Sequence, residues 1–349
     1  MKKSVFGCII DNMQKYHVIV FGCQMNISDA ERVAAVLESL GYKETDDINK
    51  ANLIAIVMCS VRQSAVDRVY GIIEKLKNKK VKTILTGCIL EKDRQVFEKK
   101  FDQVLDIKDF ANFDIMPKFS GENAAYIPIT SGCNNFCSYC VVPYTRGREI
   151  SFPAKQIINQ IESKIKSGAK EIWLLGQNVN SYKDGKTNFP KLLKMANAAK
   201  GDFKLNFTSS HPKDFSDELI SAMTECQKLS MDLNLPIQSG DDEVLKKMNR
   251  PYTVAQYKAL VKKIRKALPN IRLSTDIIVG FPGETKTQFN NTVKTLKEIG
   301  YGVAFINKYS PRAGTVAAKM EDDVPWEEKK RREKVLIELV NAKNANKKQ

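Results

Sequence analysis

Short apolar runs alternate with longer amphipathic stretches along most of this chain. Tyr16-His17-Val18-Ile19-Val20-Phe21, Leu53-Ile54-Ala55-Ile56-Val57-Met58 and Thr83-Ile84-Leu85-Thr86 read as strands, and Val104-Leu105-Asp106 as a weaker fourth. A capping-box spacing at Ser28 and Glu31 predicts that a helix starts at Ser28. A second helix is expected from about Gln63 to Asn78. Strands alternating with helices argue for a parallel, doubly wound α/β domain. It is expected over residues 15–120, after an N-terminal extension at 1–14.

The polar break Ser120-Gly121-Glu122-Asn123 marks a domain boundary. Six strand-like segments follow, each with a helical segment behind it. They centre on Tyr126-Ile129, Glu171-Leu175, Lys204-Phe207, Met231-Leu235, Arg272-Val279 and Val303-Ile306. Six such units without a seventh and eighth predict a partial (βα)6 barrel over residues 121–325, with its chemistry at the C-terminal ends of the strands. A charged helix from Trp326 to about Val340 and a frayed polar tail, Asn341 to Gln349, make up residues 326–349.

Composition changes this picture in three ways. The 349 residues carry 56 Lys and Arg against 40 Asp and Glu, a net charge of +16 that favours a polyanionic partner such as RNA. No apolar run approaches the ~20 residues of a membrane span. The apolar stretch near Met1 is too short for a signal peptide, so the expected location is cytoplasmic. Eight cysteines in a chain of this length do not form a disulfide scaffold and read as thiols or metal ligands.

Cys133, Cys137 and Cys140 form a C-x3-C-x2-C triplet directly after the first barrel strand. Clusters held by protein alone take four cysteines. Three would leave one iron of a 4Fe–4S cluster open to chelate a small molecule. The competing zinc reading needs paired Cys or Cys/His units, and no fourth ligand lies nearby in the sequence. The triplet resembles that of the radical S-adenosylmethionine (SAM) enzymes. Cys23, Cys59 and Cys88 each end one of the first three strands, where open parallel sheets bind ligands. A buried Cys alone means little, but three at equivalent topological positions predict a second three-cysteine cluster. Cys8 and Cys226 have no such setting and read as bystanders.

The later strand ends carry polar or glycine-rich runs. Ordinary turn chemistry explains such residues. As a ring over a barrel mouth, Gln177, Asn178, Ser209, His211, Gln238, Ser239, Asp276 and Gly280 are candidates for binding SAM. His211, preceding Pro212, reads equally as a structural hydrogen-bonder. Arg146 and Arg148 flank Gly147 and could grip a substrate phosphate or the SAM carboxylate, or form an ion-pair network with Glu149.

From Tyr16 to about Lys343 the chain closely resembles the methylthiotransferases, a radical SAM family. The resemblance assigns Cys23, Cys59 and Cys88 to an auxiliary 4Fe–4S cluster and the Cys133 triplet to the radical SAM cluster. Gly22-Cys23-Gln24-Met25-Asn26, Cys133-Asn134-Asn135-Phe136-Cys137, Val142-Pro143-Tyr144-Thr145-Arg146-Gly147-Arg148 and Lys247-Met248-Asn249-Arg250 are similar to the tRNA-modifying branch. That branch places a methylthio group on C2 of N6-isopentenyladenosine beside the anticodon. The resemblance implies two 4Fe–4S clusters and SAM as cofactors. The implied partners are the tRNA anticodon stem-loop and an electron donor such as flavodoxin or ferredoxin, with no membrane. The family's C-terminal TRAM β-barrel is absent from the pattern after Trp326, and Val57-Met58 stands where Asn-Thr is usual. Three other readings remain: the same chemistry on threonylcarbamoyl-adenosine, the same chemistry on a ribosomal-protein side chain, or a non-catalytic RNA-binding iron–sulfur protein.

Overall fold

The computed structural model describes residues 14–61, 63–77, 79–110, 115–119, 121 and 123–345. Cys8, most of the N-terminal extension, and Ser120 and Glu122 of the expected break lie outside the described residues.

The first domain runs β1 (Lys15–Phe21), α1 (Gln24–Ser39), β2 (Lys43–Glu44), β3 (Leu53–Cys59), α2 (Gln63–Leu76), β4 (Lys82–Cys88), α3 (Glu91–Phe97) and β5 (Gln103–Val104). All pairings are parallel, in the order β2-β1-β3-β4-β5. Every residue of β3 is buried, as a central strand covered on both faces must be. Leu53, Ala55 and Val57 pack with α1, while Ile54, Ile56 and Met58 pack with Val66 and Val69 of α2 and Phe97 of α3. The period-two alternation thus splits one apolar run between two cores. The order of the strands reverses between β1 and β3, which opens a crevice at their carboxyl ends.

The start of α1 differs from the expected Ser28. Cys23 is the N-cap, and the box is closed by Asn26, whose Oδ1 accepts the Cys23 backbone N–H at 3.2 Å. Ser28 and Glu31 are buried within the helix. Their spacing carries a capping signal, but Asn26 supplies the same acceptor one turn earlier.

The second domain contains β6 (Ala124–Pro128), β7 (Thr130–Ser131), α4 (Val142–Thr145), β8 (Ile150–Ser151), α5 (Ala154–Lys166), β9 (Glu171–Leu175), β10 (Lys183–Asp184), β11 (Thr187–Asn188), α6 (Phe189–Ala198), β12 (Lys204–Phe207) and α7 (Asp217–Glu225). It continues through β13 (Asp232–Asn234), α8 (Asp242–Lys247), α9 (Val254–Ala267), β14 (Arg272–Val279), α10 (Lys286–Ile299), β15 (Val303–Lys308) and α11 (Trp326–Ala345). Two parallel three-stranded sheets, β6-β9-β12 and β13-β14-β15, meet where Leu205 N–H donates to Lys228 O and Leu205 O accepts from Ser230 N–H, both at 2.8 Å. The strands thereby follow one another around the expected partial barrel.

On β14, Leu273, Thr275, Ile277 and Val279 are buried toward the helices, whereas Ser274, Asp276 and Ile278 are half-buried on the inner face. The barrel interior is therefore polar and open. Of the tail expected to fray from Asn341, the part to Ala345 is helical, and residues 346–349 lie outside the described residues. The part of α11 packed on β15 carries the helix past the polar stretch.

The domains join along a buried ionic seam. Lys118 N–H donates to Glu31 O, and Lys164 of α5 reaches Glu31 of α1. Arg32 of α1 lies over the Phe152 ring at 5.8 Å.

Candidate functional site

Cys59 and Cys88 end β3 and β4 and are register partners, while Cys23 follows β1 across the switch point. Gly87 allows this closeness. Its φ is +114°, and a Cβ there would lie 2.2 Å from Met58 O. Asn26 ties the group together by donating its Nδ2 to Met58 O at 3.2 Å, 4.0 Å from Cys88 Sγ. Arg146, from beyond the Cys133 loop, places Nε 2.9 Å from Cys88 Sγ and Nη2 2.5 Å from Asp29 Oδ2. A hydrogen bond from Cys59, followed by the Arg146 charge, pulls the Cys88 thiol below its ordinary range against its burial. Cys59 is pushed up as the donor of that pair.

The second cysteine group lies in the loop between β7 and α4. Gly132, with φ +81°, has no room for a Cβ, which would stand 2.2 Å from Arg148 O. Phe136 takes the left-handed conformation at φ 47° and turns the chain between Cys133 and Cys137. The Lys247–Arg250 segment straps the loop down. Ser138 N–H donates to Met248 O and Asn249 Nδ2 donates to Phe136 O at 2.9 Å. Arg250 Nη1 lies 3.8 Å from Cys137 Sγ and its Nη2 donates to Pro236 O. Burial pushes Cys133 up, and Cys140 up to about 12.

All six cysteines are free thiols. Among the described residues no three Cys, His, Asp or Glu side chains form a cage for one metal ion. Zinc draws four ligands onto one atom at ~2.3 Å each from sulfur, whereas a 4Fe–4S cluster takes each thiolate on a different iron. Two sets of three free thiols, each with an arginine beside one sulfur, fit clusters in their donor chemistry.

A cavity of about 640 Å³ joins the two domains. Cys23, Cys59, Cys88 and Arg146 line one side, and Gln177, Ser209 and Asp276 line the other. Of the residues that line it, Gln177 has Oε1 buried without a partner, and at neighbouring positions of the same strand ends Asn178 Oδ1, His211 Nε2, Thr130 Oγ1 and Ser210 Oγ are likewise buried without partners. Buried polar atoms are normally paired, so these orphans on the first three strand ends fit a polar ligand such as SAM. His211 accepts from Lys213 N–H at Nδ1, and its own ionisation is lowered to about 2, chiefly by burial and then by Arg250 and Lys213.

Other expected positions lie elsewhere. Ser239 is wholly buried and meets Thr292 Oγ1 of α10. Gly280 donates its N–H to Glu284 and packs against Lys329 of α11. Gln238, at φ 72°, bridges to β14 through its backbone, donating to Asp276 O and accepting from Ile278 N–H. Arg148 covers the Phe136 ring at 4.5 Å. The partner of Arg146 is Asp29 rather than Glu149, whose carboxylate accepts from Ser181. Trp173, Asn234, Ser274 and Phe305, none of them in a sequence motif, also line the cavity. The period-two alternation of β14 carried a signal for Ser274; Asn26 and Arg250 lay within motifs already noted.

Residues 127–296 match the radical SAM superfamily, and residues 15–107 match the uncharacterized protein family UPF0004. The chain is 41% identical to the tRNA-2-methylthio-N(6)-dimethylallyladenosine synthase of Clostridium novyi, over 94% of this chain and 81% of that protein. It is 38% identical to the protein of that name from Endomicrobium trichonymphae, over 93% and 84%. In structure it is similar to the radical SAM methyltransferase TsrM of Kitasatospora setae solved with cobalamin and a [4Fe-4S] cluster. The TM-score is 0.63 at 14% identity, covering 88% of this chain and 77% of that one, a likeness of fold.

Proposed function

We propose that this chain, which belongs to the tRNA-2-methylthio-N(6)-dimethylallyladenosine synthase family, adds a methylthio group to C2 of N6-dimethylallyladenosine in tRNA. It is a radical SAM enzyme that uses SAM and 4Fe–4S clusters. The observation that carries the reading is one cavity lined both by three free thiols of the first domain and by residues at the barrel strand ends.

Cys133, Cys137 and Cys140 would hold the cluster that faces SAM, and Cys23, Cys59 and Cys88 the auxiliary one. When bound, these groups supply the one-electron chemistry and the sulfur that an unactivated C–H bond requires. Orphaned polar atoms at Gln177, Asn178 and His211 orient SAM, with Ser209 beside them in the cavity. The adenine leaves its stack to enter the cavity, as base-modifying enzymes require, and Trp173 and Phe305 offer aromatic faces to it. The net charge of +16 supports an anticodon stem-loop as the RNA footprint. Residues 15–120 act as the auxiliary-cluster domain and 121–325 as the radical SAM core, followed by the C-terminal charged helix and tail at 326–349. A small electron carrier such as flavodoxin or ferredoxin reduces the enzyme in the cytoplasm. Among the described residues no helix is long and apolar enough to cross a membrane.

Mass spectrometry of nucleosides from a deletion strain tests this. Loss of 2-methylthio-N6-dimethylallyladenosine, with its unthiolated precursor accumulating, is expected. An unchanged nucleoside profile would overturn the assignment.

A further inference from the structure

Two buried arginines approach the two cysteine sets, and one of them crosses between domains. Arg250 lies by Cys137 of the second set, strapped to the same barrel. Arg146 follows the Cys133 loop in sequence, yet its Nε points at Cys88 of the other domain, 2.9 Å from Sγ. Its side chain is 3% exposed, and its carboxylate partner, Asp29, is 8% exposed. Asp29 lies on α1, the helix that Cys23 caps. Arg146 N–H donates to Val142 O, which holds its backbone in the turn after α4.

An N–H aimed at a ligating sulfur, with a positive charge behind it, stabilises the more negative state of a cluster. Hydrogen bonds to the sulfurs and net local charge are among the levers that set iron–sulfur potentials. A buried carboxylate works in the opposite direction, and low dielectric magnifies both effects.

We propose that Arg146 is a positioning residue for the auxiliary site. It holds Cys88 Sγ by a charge-assisted hydrogen bond and raises the reduction potential of the cluster there, while Asp29 holds the guanidinium and moderates its effect. The inference rests on the reading that Cys23, Cys59 and Cys88 carry a cluster. It also gives the second domain a direct hold on the chemistry of the first, since the arginine belongs to the loop after Cys140.

The test uses the full chain carrying Cys133→Ala, Cys137→Ala and Cys140→Ala, reconstituted anaerobically, so that one cluster remains. Iron content and an EPR-monitored redox titration are read. About four irons per chain are expected in this background. Absence of iron would overturn the auxiliary-cluster reading and this inference with it. With the cluster present, Arg146→Met is expected to move the midpoint to more negative potential, and Asp29→Asn to more positive potential. Arg146→Lys, which keeps charge but loses the fork, should fall between Arg146→Met and the parent. If Arg146→Met cannot hold iron, the Asp29→Asn shift decides. Unchanged midpoints in the cluster-bearing variants would overturn the role, because packing alone does not set a potential.

Discussion

Lys164 Nζ stands 3.0 Å from Glu31 Oε2, and both side chains are 2% exposed. The ammonium also donates to the carbonyls of Pro117 at 3.0 Å and Lys118 at 2.6 Å. One lysine of the barrel thus meets a helix of the first domain and the segment between the domains.

Replacing Lys164 with Met should therefore be costly. Glu31 would lose its buried ammonium partner, and breaking a buried pair from one side costs about 3–5 kcal/mol. Urea unfolding followed by tryptophan fluorescence should show an earlier transition. Lys263→Ala, which removes an exposed pair with Asp217, should shift stability by less than ~1 kcal/mol. Equal effects from the two would show that the seam is not what joins the domains.

The two cysteine sets should separate by function. Cys59→Ala should abolish methylthio product while reductive cleavage of SAM to 5′-deoxyadenosine remains measurable. Cys137→Ala should abolish both. Chromatographic assay of 5′-deoxyadenosine and product nucleoside reads this directly. Loss of SAM cleavage in a folded Cys59→Ala protein would contradict the division.

Gly87→Ala should behave as a cluster variant without touching a thiol. Alanine strains the φ of +114°, and its Cβ would meet the Met58 carbonyl, which belongs to the central strand and cannot give way. Cys88 should shift out of register with Cys59. Iron analysis should fall from about eight to about four per chain, with SAM cleavage retained. Full iron content would mean that the strands spread without cost to the site.

His211 should make stability depend on acid. Its folded pKa is lowered to about 2 by burial first, then by Arg250 and Lys213. Above the ordinary value near 6.5 both states are neutral, and it contributes no pH slope. Below that value the unfolded chain takes a proton that the folded chain refuses, so stability falls as pH falls. Between pH 6.5 and 5.5 the loss approaches about 1 kcal/mol. His211→Gln should flatten this part of the profile by that amount in urea midpoints taken from pH 7.5 to 5.5. An unaltered slope would show that the folded ring takes up its proton as readily as the unfolded one.

RNA binding should be strongly salt-dependent, since each neutralised phosphate releases condensed counterions. Filter-binding of an anticodon stem-loop over a salt series should give a linear fall of log affinity with log salt. A flat line would remove the net charge of +16 from any role in recognition.

The architecture was legible from the order of residues, because burial has a period and chemistry has a spacing. A run such as Leu53–Cys59 with no polar position has to be a central strand, and one such run between helices implies cover on both faces. Cys133, Cys137 and Cys140 lie within eight residues of one another, so their convergence needed only a loop. Cys23, Cys59 and Cys88 were legible for a different reason: equivalent strand ends in a parallel sheet must come together.

Which polar side chains face the mouth and which face the helices followed from the folded backbone and not from residue order. Ser239 and Asp276 both follow or end barrel strands, but Ser239 turns to Thr292 of α10, and Asp276 turns inward to accept from Asn234. A strand-end loop has no fixed period, so one residue of backbone twist, such as the positive φ of Gln238, reverses the direction of its neighbour. The contacts of Arg146 were hidden in the sequence for the same kind of cause. Its partners, Cys88 and Asp29, lie 58 and 117 residues away, and only the docking of the two domains sets those distances.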